Sequence, residues 1–104
     1  MMEEVLFSQS ERDALLSQLR VEAWRGLAAS NLNRLVVRSA REMSGETFAA
    51  FEEDLYVELF KFVHSVDMEE KLGGVAAMEA LIGAPSAEPD SKSTRFTNVL
   101  SDAL

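Results

Sequence analysis

The side chains most able to do chemistry lie in one stretch, residues 52–64. It carries the acids Glu52, Glu53, Asp54 and Glu58, and it ends at His64, the only histidine of the chain. Acid–base catalysis or metal binding needs such groups beside a second base or ligand at a suitable spacing. The sequence offers His64 no second ligand of this kind. We therefore expect a helix-end residue at position 64 and a solvated acidic face at the carboxylates.

A pair of glycines, Gly73 and Gly74, stands in the stretch "EKLGGV". The stretch lacks the second Gly and the Lys-Ser/Thr of a phosphate loop, and no predicted strand precedes it. Each Gly costs a helix ~1 kcal/mol relative to Ala. Two interpretations stay open: the pair lets another helix pack closely, or it delays the start of the helix to about Val75.

Three further groups of residues are candidates for interaction. Arg34, Arg38 and Arg41 share a helix face, where they bind an acidic partner or a neighbouring helix, or form a plain exposed stripe. Trp24 with Leu27 forms a core anchor or an exposed docking point. A predicted loop carries polar residues that are phosphorylation candidates or ordinary loop residues, namely Ser91, Ser93 and Thr94.

Composition restricts the class of protein. The chain has 104 residues, no cysteine and a net charge of −8, and residues 44–104 hold twelve acids against four basic residues. An acidic surface repels phosphate backbones and anionic lipids, so we expect no nucleic-acid partner. No run approaches the ~20 apolar residues of a membrane span, so we expect no direct membrane insertion. These features predict a soluble intracellular chain without disulfides.

Apolar residues recur at helical spacing, and no segment alternates as a strand would. We predict a first helix over residues 9–43, with "SNLN" at 30–33 as its bend or break, and a second helix capped by Ser44. A third follows Asp67 and runs to about Ile82, and a partial fourth begins near Ser93. The predicted fold is all-α, with about three helices and part of a fourth in antiparallel pairs, which is how a stacked helical array begins.

Several short motifs follow one another along the second part of the chain. They are Arg41-Glu42-Met43-Ser44, then Ser65, Asp67 and Glu70, then Gly73-Gly74, then Leu81-Ile82-Gly83, and finally Arg95, Phe96, Asn98 and Leu100. In this order they resemble the N-terminal region of the target-of-rapamycin (TOR) protein kinases. The resemblance covers about residues 32–104, and Lys71-Leu72 departs from it mildly.

The resemblance implies the start of a HEAT-type α-solenoid over residues 32–104, preceded by a segment 1–31 of uncertain order. It also implies a parent serine/threonine kinase of nutrient and growth signalling. Its partners would be other helical repeats of the same chain and protein subunits of a TOR complex. Its location would be cytoplasmic, with endomembranes reached through such a complex.

The resemblance implies no catalytic or cofactor residue here, because that family's kinase domain lies elsewhere. The sequence has no Gly-rich kinase loop and no "HRD"-like or "DFG"-like motif. ATP and Mg²⁺ are therefore expected only for a full-length kinase, and this chain is expected to be a scaffold. The alternative is a stand-alone acidic helical adaptor.

Overall fold

The computed structural model describes the backbone of residues 2–103 and the side chains of residues 7–103. Within these residues there is no strand, so the all-α prediction is confirmed. The five helices are α1 (Met2–Leu19), α2 (Arg25–Glu42), α3 (Gly45–Val63), α4 (Met68–Leu81) and α5 (Pro89–Ala103), with a 3-10 turn at Glu22–Trp24 between the first two.

The predicted first helix is two helices, and the predicted break at residues 30–33 was wrong. The chain turns at residues 20–24, where Arg25 Nε donates to the carbonyl of Leu19 (2.9 Å) and so satisfies one free acceptor at the end of α1. Asn33 lies inside α2 and donates to the carbonyl of Ala80 on α4 (2.7 Å). Its side chain therefore joins two helices instead of competing with its own backbone.

The caps of the middle helices agree with the sequence. Ser44 accepts a hydrogen bond from the Thr47 amide (3.3 Å), and Asp67 accepts one from the Glu70 amide (3.0 Å). These bonds satisfy amides that the first turn of a helix leaves free.

The last helix begins four residues earlier than predicted, at Pro89. Proline suits the first helical position, because its missing amide hydrogen would have no partner there. Helix α5 contains Ser91, Ser93 and Thr94. The prediction that these three residues lie in a loop was therefore wrong.

Helix α4 lies at the centre, packed against α1, α2 and α3, whereas α5 packs against α3. Two contacts show that α1 and α2 are antiparallel, because Arg25 donates to the Leu19 carbonyl and Arg38 donates to the Glu11 carboxylate. The core is formed mainly by leucines and phenylalanines of α1–α4, with several side chains wholly buried, among them Leu19, Leu32, Leu35, Leu55, Leu59, Met78 and Leu81. Within residues 2–103, no helix is both long and apolar enough to cross a membrane.

Trp24 lies outside this core. Its side chain is 57% exposed and that of Leu27 is 66% exposed, so the core-anchor interpretation was wrong. The reason is the turn at residues 20–24, which takes Trp24 out of the helical register that the sequence pattern assumed.

Candidate interaction surfaces

An open groove of about 490 Å³ runs between the end of α4 and the outer side of α5. Ile82, at the C-terminal end of α4, is 65% exposed at this groove. The lining is mostly apolar and consists of Ile82, Ala84, Pro85, Ser86, Pro89, Lys92, Ser93, Phe96, Thr97 and Leu100. We call this feature the α4–α5 groove.

One aromatic side chain attaches α5 to the body of the molecule. Phe96 is buried, and its ring lies edge-on to Tyr56 (centroids 5.1 Å apart) and to Phe60 (6.0 Å). Among the described residues of α5, it is the only apolar one that is fully buried, while Val99 and Leu100 are half-buried. Helix α5, which forms one wall of the groove, therefore contributes little to the core.

A buried carboxylate fixes the loop between α4 and α5. Glu52 accepts a hydrogen bond from the Tyr56 hydroxyl (2.7 Å) and another from the Ala87 amide (3.1 Å). The predicted solvated acidic face was thus wrong at Glu52. The helical spacing of Glu52 could have predicted this burial, because Glu52 lies four residues after Phe48 and three before Leu55, both of which are buried.

The same network makes the Tyr56 hydroxyl a weaker acid than an ordinary tyrosine. Burial, followed by the hydrogen bond and the negative charge of Glu52, raises the pKa of Tyr56 well above its ordinary value, although Ser86 and Arg95 act in the opposite direction. The neutral phenol is therefore the form that the folded state stabilises.

Lys92 closes the C-terminal end of α4. Its buried ammonium donates to the carbonyls of Ala84 (2.8 Å) and Ile82 (3.3 Å), which lie where a helix leaves acceptors free. Burial lowers the pKa of Lys92, and the charge of Glu52 partly opposes this. Lys92 was not among the candidate residues predicted from the sequence, although it lies four residues before the apolar Phe96.

The remaining acids behave as surface groups. Glu53 pairs with both terminal nitrogens of the Arg95 guanidinium (2.6 and 3.2 Å), and Glu58 pairs with Lys61 (3.3 Å). Asp54 is exposed, as predicted.

His64 caps the C-terminal end of α3 and is exposed, so its predicted helix-end position is confirmed. Within residues 7–103, whose side chains the structure describes, no three His, Cys, Asp or Glu side chains are grouped closely enough to hold a metal ion.

The glycine pair lies inside α4, which begins at Met68, so the late-start interpretation does not describe this helix. A Cβ on Gly73 would lie 2.7 Å from the carbonyl oxygen of Leu19, and one on Gly74 would lie 2.8 Å from Phe62 Cβ and from Val63 N. Real Cβ atoms essentially never approach other atoms so closely. The pair therefore allows the ends of α1 and α3 to touch α4, as the close-packing interpretation expected.

The three arginines of α2 have different surroundings. Arg38 pairs with Glu11 of α1, which is the neighbouring-helix contact that the sequence offered as one alternative. Arg34 and Arg41 are exposed. A role for them toward an acidic partner stays a prediction.

The comparison with known protein families found no family model that matches the chain, and none of the solved structures matches it. Curated relatives do match. The chain is 39% identical over 72 residues to "Serine/threonine-protein kinase TOR" of Oryza sativa subsp. japonica, and 36% identical over 73 residues to "Serine/threonine-protein kinase tor1" of Schizosaccharomyces pombe. It is 29% identical over 107 residues to "Serine/threonine-protein kinase TOR2" of Saccharomyces cerevisiae.

These matches cover 69%, 70% and 92% of this chain but only 3%, 3% and 4% of the relatives. The similarity thus concerns a small helical segment of very long proteins. On this evidence the chain belongs to the TOR serine/threonine-protein kinase family, of which it represents one short segment.

Proposed function

We propose that this chain is a helical-repeat scaffold segment, the start of a HEAT-type solenoid in a TOR-like kinase. It would mediate protein–protein assembly. The segment would pack against further helices of the same polypeptide, and the resulting helical array would bind subunits of a TOR complex. The parent kinase would act in nutrient and growth signalling. The segment itself would perform no phosphoryl transfer.

The α4–α5 groove is the observation that supports this proposal most. In helical-repeat proteins each repeat buries its apolar face against the next one. A repeat without its neighbour therefore exposes apolar residues on adjacent helices. Ile82, which is exposed at the end of α4, and Leu100, which is half-buried on α5, provide apolar residues of this kind, and the buried Phe96 lies at the base of the groove. A helix lying in this groove would bury Ile82 and increase the burial of α5.

The test compares the 104-residue chain with a fusion that adds the segment following the matched region in the rice TOR kinase. If helices of that segment lie in the groove, the transition that unfolds α5 should move to a higher denaturant concentration in the fusion. Ile82→Ser should remove most of this gain, because it places a hydroxyl in the apolar contact. The matched control is Val57→Ser, which changes an exposed apolar residue on the outside of α3.

The alternative is a stand-alone acidic helical adaptor. It predicts that the added segment leaves the unfolding of α5 unchanged, and that Ile82→Ser has the same small effect with and without the fusion. That outcome would overturn the scaffold proposal.

A further inference from the structure

Helix α2 is positively charged in an otherwise acidic chain, and one side of it forms a cleft with α1. The helix holds four arginines against one acid, which gives a net charge of +3. The other residues hold six basic side chains against seventeen acids, which gives −11. The cleft has a volume of about 220 Å³ and is lined by Glu11, Leu15, Asn31, Arg34, Leu35 and Arg38. We call it the α1–α2 cleft.

Most of the arginine donors in the α1–α2 cleft are unused. Arg38 donates to the Glu11 carboxylate through one nitrogen. Within residues 7–103, its other nitrogens and the whole guanidinium of Arg34 donate to no group. Arg34 is exposed and the side chain of Arg38 is 41% exposed, so these donors are accessible from solvent. A guanidinium presents its N–H groups as a rigid fork that matches a carboxylate.

The spacing of these two arginines favours an anionic ligand. Arg34 and Arg38 are four residues apart, which makes them neighbours on one helix face, where like charges repel. Glu11 compensates only one of the two charges. A second carboxylate lying between the two guanidinium groups would remove the remaining repulsion. Asn31, three residues before Arg34 and also in the cleft, offers an amide donor beside it.

The floor of the α1–α2 cleft is apolar, because Leu15 and Leu35 are both buried. Charges interact more strongly beside such a floor than in bulk water. Extended polyanions such as nucleic acids would meet the acidic remainder of the chain, which repels them. A short acidic peptide segment needs to touch this one face only.

We propose that the α1–α2 cleft binds an acidic segment of a partner protein, with one carboxylate held between Arg34 and Arg38. Arg41, which is exposed and lies three residues after Arg38, would meet a second carboxylate of the same segment. This inference goes beyond the scaffold proposal, because it concerns a different surface from the α4–α5 groove and does not require a helix in that groove.

NMR titration of the 104-residue chain with a short synthetic peptide of the repeat Glu-Glu-Leu-Glu tests the proposal. We expect shifts concentrated at residues 11–15 and 31–41, including the side-chain amide of Asn31. Added salt should weaken the binding, since it screens exposed charge pairs. The control peptide has glutamine in place of every glutamate and should not bind.

Arg34→Gln should weaken binding of the acidic peptide by roughly tenfold, because it removes charge-assisted hydrogen bonds. Arg34 is exposed and glutamine is a comparably good helix former, so the fold should be kept, as circular dichroism can check. The matched control is Lys61→Gln on α3, which removes the same charge at another exposed position. It should leave the affinity nearly unchanged.

Three results would overturn the proposal. One is a chain that shows no shifts with the acidic peptide at low salt. Another is equal binding of the acidic and the glutamine peptide, or equal weakening by Arg34→Gln and Lys61→Gln, which would show that no specific arginine site exists. The third is displacement of the peptide by an equal concentration of inorganic phosphate, which would show that the cleft takes any small anion.

Discussion

At the scale of single residues, the structure shows where the absence of a side chain matters as much as its presence. Gly74 allows the backbone of α3 to approach α4, with Val63 N at 2.8 Å from the position of an added Cβ. Gly26, near the start of α2, has no such neighbour within 4 Å. Helix propensity treats the two positions alike, whereas packing separates them.

Gly74→Ala should therefore destabilise the chain, although Ala is the better helix former. The added methyl group must displace backbone atoms of α3, and such overpacking costs about 1–3 kcal/mol. Gly26→Ala, the matched control, should be neutral or stabilising by up to about 1 kcal/mol. Urea unfolding of both variants measures the difference. A Gly74→Ala chain as stable as Gly26→Ala would show that α3 and α4 are not in close contact.

Tyr56 should make the folded chain less stable at alkaline pH. Its pKa is raised in the folded state, so the folded chain keeps the phenol proton that the unfolded chain loses above about pH 10. The stabilisation is complete below that pH and is lost as the pH rises further. The chain should lose stability between about pH 9 and 11 more steeply than Tyr56→Phe, which has no phenol to ionise. Equal slopes in thermal melts would contradict the buried contact between Tyr56 and Glu52.

At the scale of helices, the structure has a well-packed body of α1–α4 and a weakly attached α5. The body shares a continuous core, whereas α5 adds Phe96 and the polar contacts of Lys92 and Arg95. Elements with few buried apolar contacts open at a lower free energy than the core. Opening of α5 alone is therefore the first unfolding step that we expect.

Phe96→Ala should release α5 while leaving the body folded. Loss of a fully buried Phe typically costs about 3–5 kcal/mol, but here the loss is limited to the free energy that holds α5 on α3. Amide hydrogen exchange should show faster exchange across residues 89–103 and unchanged exchange in α4. Thr97→Ala, at the next and exposed position, is the control. Loss of protection throughout the chain would show that α5 belongs to the cooperative core.

The sequence predicted the middle helices well and the first part of the chain poorly, for physical reasons. Ser44 and Asp67 are local caps, so their effect is readable from a few neighbouring residues. The turn at residues 20–24 has no Gly or Pro and depends on Arg25, which reaches both Leu19 and Glu69. A contact between residues 44 positions apart cannot be seen in local periodicity.

The candidate surfaces were predictable only in part. Close packing at the glycine pair was one of two interpretations that the sequence left open, and the position of the pair inside α4 favours it. The burial of Glu52 and Lys92 was not predicted, because a charged residue type normally indicates solvent exposure, although both lie at helical spacing from buried apolar residues. Both have partners among the backbone groups of the loop after α4, and the position of that loop is a tertiary property.

At the scale of the whole molecule, the α4–α5 groove has the proposed role of continuing a helical array within one polypeptide. This role fits a chain whose relatives are far longer, since it spans 3% to 4% of their length.

The most direct test of the scaffold account is amide hydrogen exchange of α5 in two proteins, the 104-residue chain and its fusion to the following segment of the rice TOR kinase. The account predicts that residues 89–103 exchange markedly more slowly in the fusion. It also predicts that Ile82→Ser in the fusion returns their exchange rates toward those of the chain alone. Equal exchange of α5 in both proteins would contradict the scaffold account and favour a stand-alone adaptor.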